Sequence, residues 1–155
     1  MKDNIAKKWI KSLTSGQYDQ TKYQLVEDRG DGCAFCCLGV LGNELVDTVG
    51  VPFKEDSDND LTLDRTSSSL SRKFYKAAGM KNGYGDISLY RTKKKDRTEA
   101  YQRLIKSVDS QNARKYFKKA IKDNRTRLSL ITMNDDLGFN FKDIAAVIKE
   151  FKKYL

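Results

Sequence analysis

The chain has 155 residues, of which 39% are apolar, and it carries a formal net charge of +9 at pH 7. This size suits one domain with one hydrophobic core, and a single proline without a Gly/Ser-rich tract predicts no interdomain linker. Without an apolar run of about 18 residues or an apolar signal core after Met1, we expect a cytoplasmic protein with no membrane partner. The absence of histidine removes the commonest general base and metal ligand, which favours a protein that is not an enzyme.

The positive charge is concentrated in one segment. Residues 91–127 contain 14 Lys and Arg against 4 Asp and Glu, whereas the remaining residues contain 16 against 17. The segment 44–64 is acidic, with seven carboxylates against Lys54. A focused basic segment favours an anionic partner, and solvated helix faces are the alternative.

The N-terminal elements are predicted from apolar spacing. Residues 3–14 have one apolar stripe, which predicts a helix with Asp3 as its N-cap and an end at Ser15-Gly16. Residues 18–26 are predicted to be extended, with Tyr23 and Leu25 on one face. A turn at residues 29–32 follows.

The middle of the chain contains the most apolar stretch, residues 35–46, which we interpret as a buried helix. A strand stays open as the alternative because the stretch is short. Residues 50–60 are predicted to be a polar loop. Residues 70–78 are predicted to be a helix that ends at Gly79.

The C-terminal half has the clearest helical periodicity. Two apolar stripes from Thr98 onward predict two helices, with a break near Asp109-Ser110. Before them residues 87–90 are predicted to be extended, and after them Leu128 begins another helix. The last helix has Asn140 as its N-cap and Asp143 at the third position, a variant of the capping box.

These elements predict a mainly α (α+β) fold. We expect one compact helical domain over residues 1–155, with one or two short extended segments.

Two motifs resemble metal sites without completing one. Cys33, Cys36 and Cys37 include a C-x2-C spacing, but no second pair and no histidine exist, so we interpret the cysteines as buried and reduced. Residues 56–60 begin like a calcium-binding loop, but Leu61 and Ser67 occupy the positions that require glycine and glutamate. We therefore predict a solvated acidic loop, no metal site and no cofactor.

The basic segment supplies the candidate ligand-binding residues. Its α-helical period places several cations opposite Phe117 and Ile121, where they would face solvent and could contact phosphates. Tyr84 and Tyr90 are candidates for stacking against bases. Solvated lysines without a ligand are the alternative. The candidate anion-binding residues are Lys93, Lys94, Lys95, Arg97, Arg114, Lys115, Lys118, Lys119 and Lys122.

Several short motifs lie toward the two ends of the chain: Trp9, Leu13, Ser15-Gly16-Gln17-Tyr18-Asp19-Gln20, Phe35-Cys36-Cys37-Leu38-Gly39-Val40-Leu41, Met133-Asn134-Asp135 and Phe141-Lys142-Asp143-Ile144-Ala145. In this order they resemble the motifs of a diffuse group of small proteins encoded by bacteriophages and prophages. Met133 stands where that group has leucine, and Asn140 stands where it has serine. The resemblance implies a phage origin and a bacterial host cytoplasm, with residues 91–127 as a basic helical insertion. It does not supply a chemistry.

Three functional hypotheses follow. The first is a non-enzymatic phage accessory protein that sequesters a phosphate-bearing host or defence-signal ligand, or that blocks a host protein. The second is direct nucleic-acid binding. The third is a metal- or carboxylate-dependent nuclease that uses Asp135, Asp136 or the acidic segment. No catalytic residue is assigned, and a homo-oligomer stays open.

Overall fold

The computed structural model describes residues 1–57 and 60–155. Within this part of the chain, seven α-helices and seven short strands form one mainly helical α+β domain, which confirms the predicted fold class. The helices are α1 Asp3–Thr14, α2 Cys37–Val49, α3 Arg72–Ala78, α4 Lys94–Ser107, α5 Gln111–Lys122, α6 Leu130–Asp135 and α7 Phe141–Phe151, followed by a 3-10 turn at Lys152–Tyr154. The strands are β1 Asp19–Gln20, β2 Val26–Asp28, β3 Cys33–Phe35, β4 Phe53–Glu55, β5 Leu61–Leu63, β6 Asp86–Ser88 and β7 Arg127–Ser129.

The strands form three small sheets. Strand β3 lies between β1, to which it is parallel, and β2, to which it is antiparallel. Strands β4 and β5 form an antiparallel pair, and so do β6 and β7. Helices α4 and α5 lie between β6 and β7 in the chain, so residues 89–126, which include most of the basic segment 91–127, connect two paired strands. That this segment is an insertion relative to shorter relatives stays a prediction.

The core joins the helices through large aromatic side chains. Helix α1 packs against α7 and α2, and α4 packs against α5 and α7. Trp9 is fully buried, and its indole Nε1 donates a hydrogen bond to the Cys37 carbonyl at 2.8 Å. The Tyr101 ring stacks on that of Phe117 with centroids 5.9 Å apart, and Phe139 meets Phe117 at 5.8 Å. These rings attach α4 and α5 to the turn before α7. Among the described residues, no helix is both long and apolar enough to cross a membrane.

A buried amide connects distant parts of the chain. The Asn134 Oδ1 atom accepts hydrogen bonds from Gln20 Nε2 at 2.8 Å and from the Cys37 backbone N–H at 3.3 Å. Its Nδ2 atom donates to the Thr21 carbonyl at 2.8 Å and to Asp135 Oδ1 at 2.7 Å. Asn134 thus links β1 and its following residue to the start of α2 and to α6.

Two N-terminal predictions are wrong in detail. Asp3 is the first residue of α1, and Lys2 occupies the N-cap position without a side-chain cap. Tyr23 has φ of +65° and is 67% exposed, whereas Leu25 is fully buried. Because the backbone at Tyr23 is left-handed, the side chains do not alternate as in an extended strand, and Tyr23 and Leu25 do not share one face.

Short strands account for the other differences. The predicted loop 50–60 contains β4, and the predicted helix 35–46 begins only at Cys37 because Phe35 belongs to β3. Leu128 lies in β7, before the helix that it was predicted to begin. The chain therefore has more than the one or two extended segments expected. A strand of three residues is too short to show a period in the sequence.

The start of α7 confirms one prediction and corrects another. Asn140 is the N-cap, and its side-chain oxygen accepts a hydrogen bond from the Asp143 backbone N–H at 2.8 Å. The Asp143 side chain does not close a capping box. Its Oδ1 atom accepts from the backbone N–H groups of Asp109 at 2.7 Å and Ser110 at 3.1 Å, in the turn between α4 and α5. A carboxylate at the start of α7 thus fixes the start of α5.

Gly39 is required where α2 approaches the chain before β2. A Cβ atom at Gly39 would lie 1.7 Å from the Leu25 carbonyl oxygen, a backbone atom that cannot rotate away. We expect Gly39→Ala to lower the free energy of unfolding by about 3 kcal/mol, the upper end of ordinary overpacking costs. Denaturant unfolding would measure it. Gly32→Ala is the matched control, because no atom lies within 4 Å of its added Cβ. Equal unfolding midpoints for the two variants would contradict this account.

Candidate anion-binding surface

The cations of α5 face solvent, as predicted. No carboxylate forms an ion pair with any of them in the described part of the chain. Arg114 is partly engaged, because its Nε and Nη2 atoms donate to the Val108 carbonyl at 3.2 and 3.1 Å. We call this set the α5 basic face. It consists of Arg114, Lys115, Lys118, Lys119 and Lys122.

The opposite side of α5 explains this orientation. Ala113, Phe117 and Ala120 are fully buried, so the helical period turns the cations outward. The same period places Lys119 next to Tyr116, which lies at the edge of the buried stripe. Tyr116 therefore lies at the border between the α5 basic face and the buried side of the helix.

Three predicted lysines, Lys93, Lys94 and Lys95, are exposed at the start of α4. The Arg97 Nη2 atom donates to Asn124 Oδ1 at 2.7 Å, which brings the start of α4 to the end of α5. These lysines consequently lie at the same end of the helix pair as Lys122.

Arg97 itself is not an exposed anion ligand, which corrects the prediction. It is only 7% exposed, and its Nη1 atom donates to the carbonyls of Leu89 and Thr92. Arg97 lies four residues before Tyr101 and therefore on the same buried face of α4. This spacing is the sequence signal from which the burial of Arg97 could have been predicted. Arg97 holds the chain after β6 against the end of α5.

The two candidate stacking residues lie on either side of β6. Tyr84 is 56% exposed and Tyr90 is 60% exposed, so both rings are accessible. The Arg127 guanidinium carbon lies 5.0 Å from the centroid of the Tyr90 ring. Tyr90 therefore already has a cation over its ring.

A groove of about 510 Å³ lies beside the α5 basic face. Strands β6 and β7, Tyr116 of α5 and the start of α6 form its walls. We call it the β6–β7 groove. Its lining residues are Asn82, Asp86, Ile87, Ser88, Tyr116, Arg125, Arg127, Leu128, Ser129 and Thr132.

Sequence reasoning missed this groove and its two arginines. Arg125 and Arg127 are two residues apart in an extended segment, and this spacing places them on one face. Nothing in the spacing shows that β6, far away in the sequence, pairs with β7 and also lines the groove.

Arg125 is held in place by two tyrosines. Its Nη1 atom donates to the Tyr116 hydroxyl at 3.2 Å, and its guanidinium carbon lies 5.0 Å from the Tyr116 ring centroid. The Tyr101 hydroxyl donates to the Arg125 carbonyl at 2.8 Å. Burial raises the pKa of Tyr116 and raises that of Tyr101 to about 12, so both stay neutral phenols at neutral pH. Within the described residues, the remaining guanidinium N–H groups of Arg125 have no partner.

The groove also has an acidic end. Asn82 Nδ2 donates to Asp86 Oδ2 at 3.3 Å, and Asn82 Oδ1 accepts from the Tyr84 backbone N–H at 3.0 Å. Asp86 pairs with Ser129, and Ser88 pairs with Arg127. Asp86 and Arg127 are therefore diagonal neighbours across the strand pair, a relation in which the residues lie about 7–8 Å apart.

Among residues 1–57 and 60–155, the cysteines and carboxylates form no metal cluster. Cys36 and Cys37 are buried as predicted, whereas Cys33 is exposed, which corrects that part of the prediction. The residues that the structure describes include no group of three or more Cys, Asp or Glu side chains suited to a metal ion. Asp135 is buried and bonded to Asn134. Residues 58 and 59 of the predicted acidic loop lie outside the described residues.

Thiol reactivity tests the burial of the cysteines. Burial raises the pKa of the Cys36 thiol to about 11 and that of Cys37 well above its ordinary value. Because the thiolate is the reactive form, both should resist an aromatic disulfide reagent at about pH 8, while exposed Cys33 reacts. We expect one fast thiol in the folded protein and two more after unfolding. Fast reaction of all three in the folded state would contradict the burial.

Comparison with known proteins identifies one family. The family model described as Domain of unknown function (DUF8296) matches residues 1–152. No curated protein and no solved structure matches the chain.

Proposed function

The chain belongs to this family, a domain of unknown function (DUF8296), and we propose that it binds a phosphate-bearing ligand through the α5 basic face. The observation that carries the proposal is that the five cations of this face lie on one helix and that none of them forms an ion pair within the described residues. Some cations elsewhere are paired, as in Lys8–Glu44 at 2.8 Å and Arg103–Glu150 at 2.6 Å. On α5 the like charges repel one another, and a phosphate would relieve this repulsion.

The lysines at the start of α4 support the same proposal. Lys93, Lys94 and Lys95 are exposed at the end of the helix pair where Lys122 lies. Cations at the N-terminal end of a helix interact unfavourably with its macrodipole, so these lysines do not stabilise α4. Their placement is better explained by contact with an anion. A multiply charged ligand could contact both sets.

We place this binding in the setting that the phage resemblance implies. The protein would act in a bacterial host cytoplasm as a phage accessory protein and sequester a phosphate-bearing host or defence-signal ligand. Blocking a host protein is the alternative mode of the same hypothesis, and it requires no contribution from the α5 lysines.

Direct nucleic-acid binding is the second candidate function. Tyr84 and Tyr90 are exposed, the Tyr90 ring lies against the Arg127 guanidinium, and aromatic rings beside cations suit single-stranded nucleic acid. A nuclease has no comparable support among the described residues. Asp135 is buried and already hydrogen-bonded to Asn134, and neither exposed Asp136 nor the described part of the acidic segment belongs to a group of three or more Cys, Asp or Glu side chains suited to a metal ion.

The test reverses three lysines that make no bond in the described part of the chain: Lys115→Glu, Lys118→Glu and Lys122→Glu. The probe is a dye-labelled single-stranded DNA of about 12 nucleotides, within the range of known single-strand site sizes. We expect the triple variant to fold and to bind at least about tenfold more weakly. The slope of log affinity against log salt should flatten by about 2, at about 0.7 per lost phosphate contact.

The matched control reverses the exposed lysines Lys11, Lys22 and Lys54, which changes the net charge equally at other places. This control should retain most of the parent affinity. Equal losses of DNA affinity in the two triple variants would mean that binding depends only on net charge. Parent-like affinity of the α5 variant would contradict binding at the α5 basic face.

A further inference from the structure

The β6–β7 groove carries an inference that rests on the proposed function and names its ligand class. Its volume of about 510 Å³ lies within the roughly 300–1,000 Å³ of small-molecule sites. The groove adjoins the α5 basic face at Tyr116, so a ligand in it would lie close to Lys119. The groove therefore suits a small anion rather than a long polymer.

One end of the groove is suited to phosphate. The Arg125 guanidinium is fixed by Tyr116, through the bond at 3.2 Å and the ring contact, so little side-chain freedom is lost when it binds. Arg127 stacks on Tyr90 and forms neither an ion pair nor a hydrogen bond within the described residues. A guanidinium group with unused N–H donors can bind two oxygens of one phosphate at the same time.

The other end is suited to a neutral hydrogen-bond donor. The Asp86 carboxylate accepts one bond from Asn82 and can accept more, but it would repel a second phosphate. A ribose hydroxyl is a donor that carboxylates bind in nucleotide sites. Exposed Tyr84 follows Asn82 by two residues and offers a ring face for a base.

We infer that the β6–β7 groove binds a ribonucleotide, with its phosphates on Arg125 and Arg127 and its ribose hydroxyls on Asp86. A ribonucleotide would contact both ends of the groove, whereas inorganic phosphate would contact only the arginine end. This arrangement also distinguishes a nucleotide from a nucleic-acid strand, whose next phosphate would approach the Asp86 carboxylate.

Calorimetric titration of the full chain tests this inference. The probes are ADP, GDP, CDP and UDP, with inorganic pyrophosphate as the reference for the phosphate contacts alone. We expect at least one nucleotide to bind about tenfold more tightly than pyrophosphate. Arg127→Gln should weaken both probes by about tenfold, the usual loss for one charged hydrogen bond. Asp86→Asn should weaken only the nucleotide, since pyrophosphate has no ribose.

The control variant is Arg72→Gln, at an exposed arginine of α3, and it should bind like the parent. If no nucleotide binds more tightly than pyrophosphate, or if Asp86→Asn changes both probes equally, the groove inference is wrong. In that case, loss of oligonucleotide binding in the α5 lysine variant would still support the proposed function. Parent-like oligonucleotide binding by that variant would contradict the proposed function as well.

Discussion

The hydrogen bonds of the Asn134 side chain hold together the parts of the chain on which the rest of the fold depends. A buried amide with both of its ends bonded costs little, whereas each group left unpaired would cost about 1–3 kcal/mol. Its partners Gln20 and Cys37 come from two other segments, far from Asn134 in the sequence. Three separate segments of the chain therefore meet at one buried side chain. Trp9 closes the same region through its bond to the Cys37 carbonyl.

The binding surface is attached to this frame at several points. Asp143 fixes the turn before α5, and Phe139 packs its ring against Phe117 on the inner side of α5. Arg97 and Tyr101 hold the other end of α5 through Asn124 and the Arg125 carbonyl. Because both ends of α5 are held, the backbone positions of its lysines are fixed relative to the walls of the neighbouring groove. Such preorganisation reduces the entropy lost when a ligand binds.

Helical parts of this account could be predicted from the sequence, and the strand-based parts could not. The exposure of Lys118 and the burial of Phe117 follow from the helical period alone. The groove depends on the pairing of Asp86 with Ser129 across two strands of three residues each, and neither strand has a readable period. Tyr116 belongs to an apolar stripe in the sequence, yet its hydroxyl contacts Arg125. Its second role depends on tertiary contacts that no local pattern encodes.

The central claim is that one side of the molecule, formed by α5, the start of α4 and the β6–β7 groove, receives phosphate-bearing ligands. Amide NMR spectra of isotope-labelled protein, titrated in separate samples with the short single-stranded DNA and with a ribonucleoside diphosphate, test it most directly. We expect saturable shifts at residues 93–95 and 111–122 with the DNA and at residues 82–90 and 125–132 with the nucleotide, with the amides of α1 and of the β4–β5 pair unchanged. Shifts centred on α1 or spread over the whole surface would contradict it.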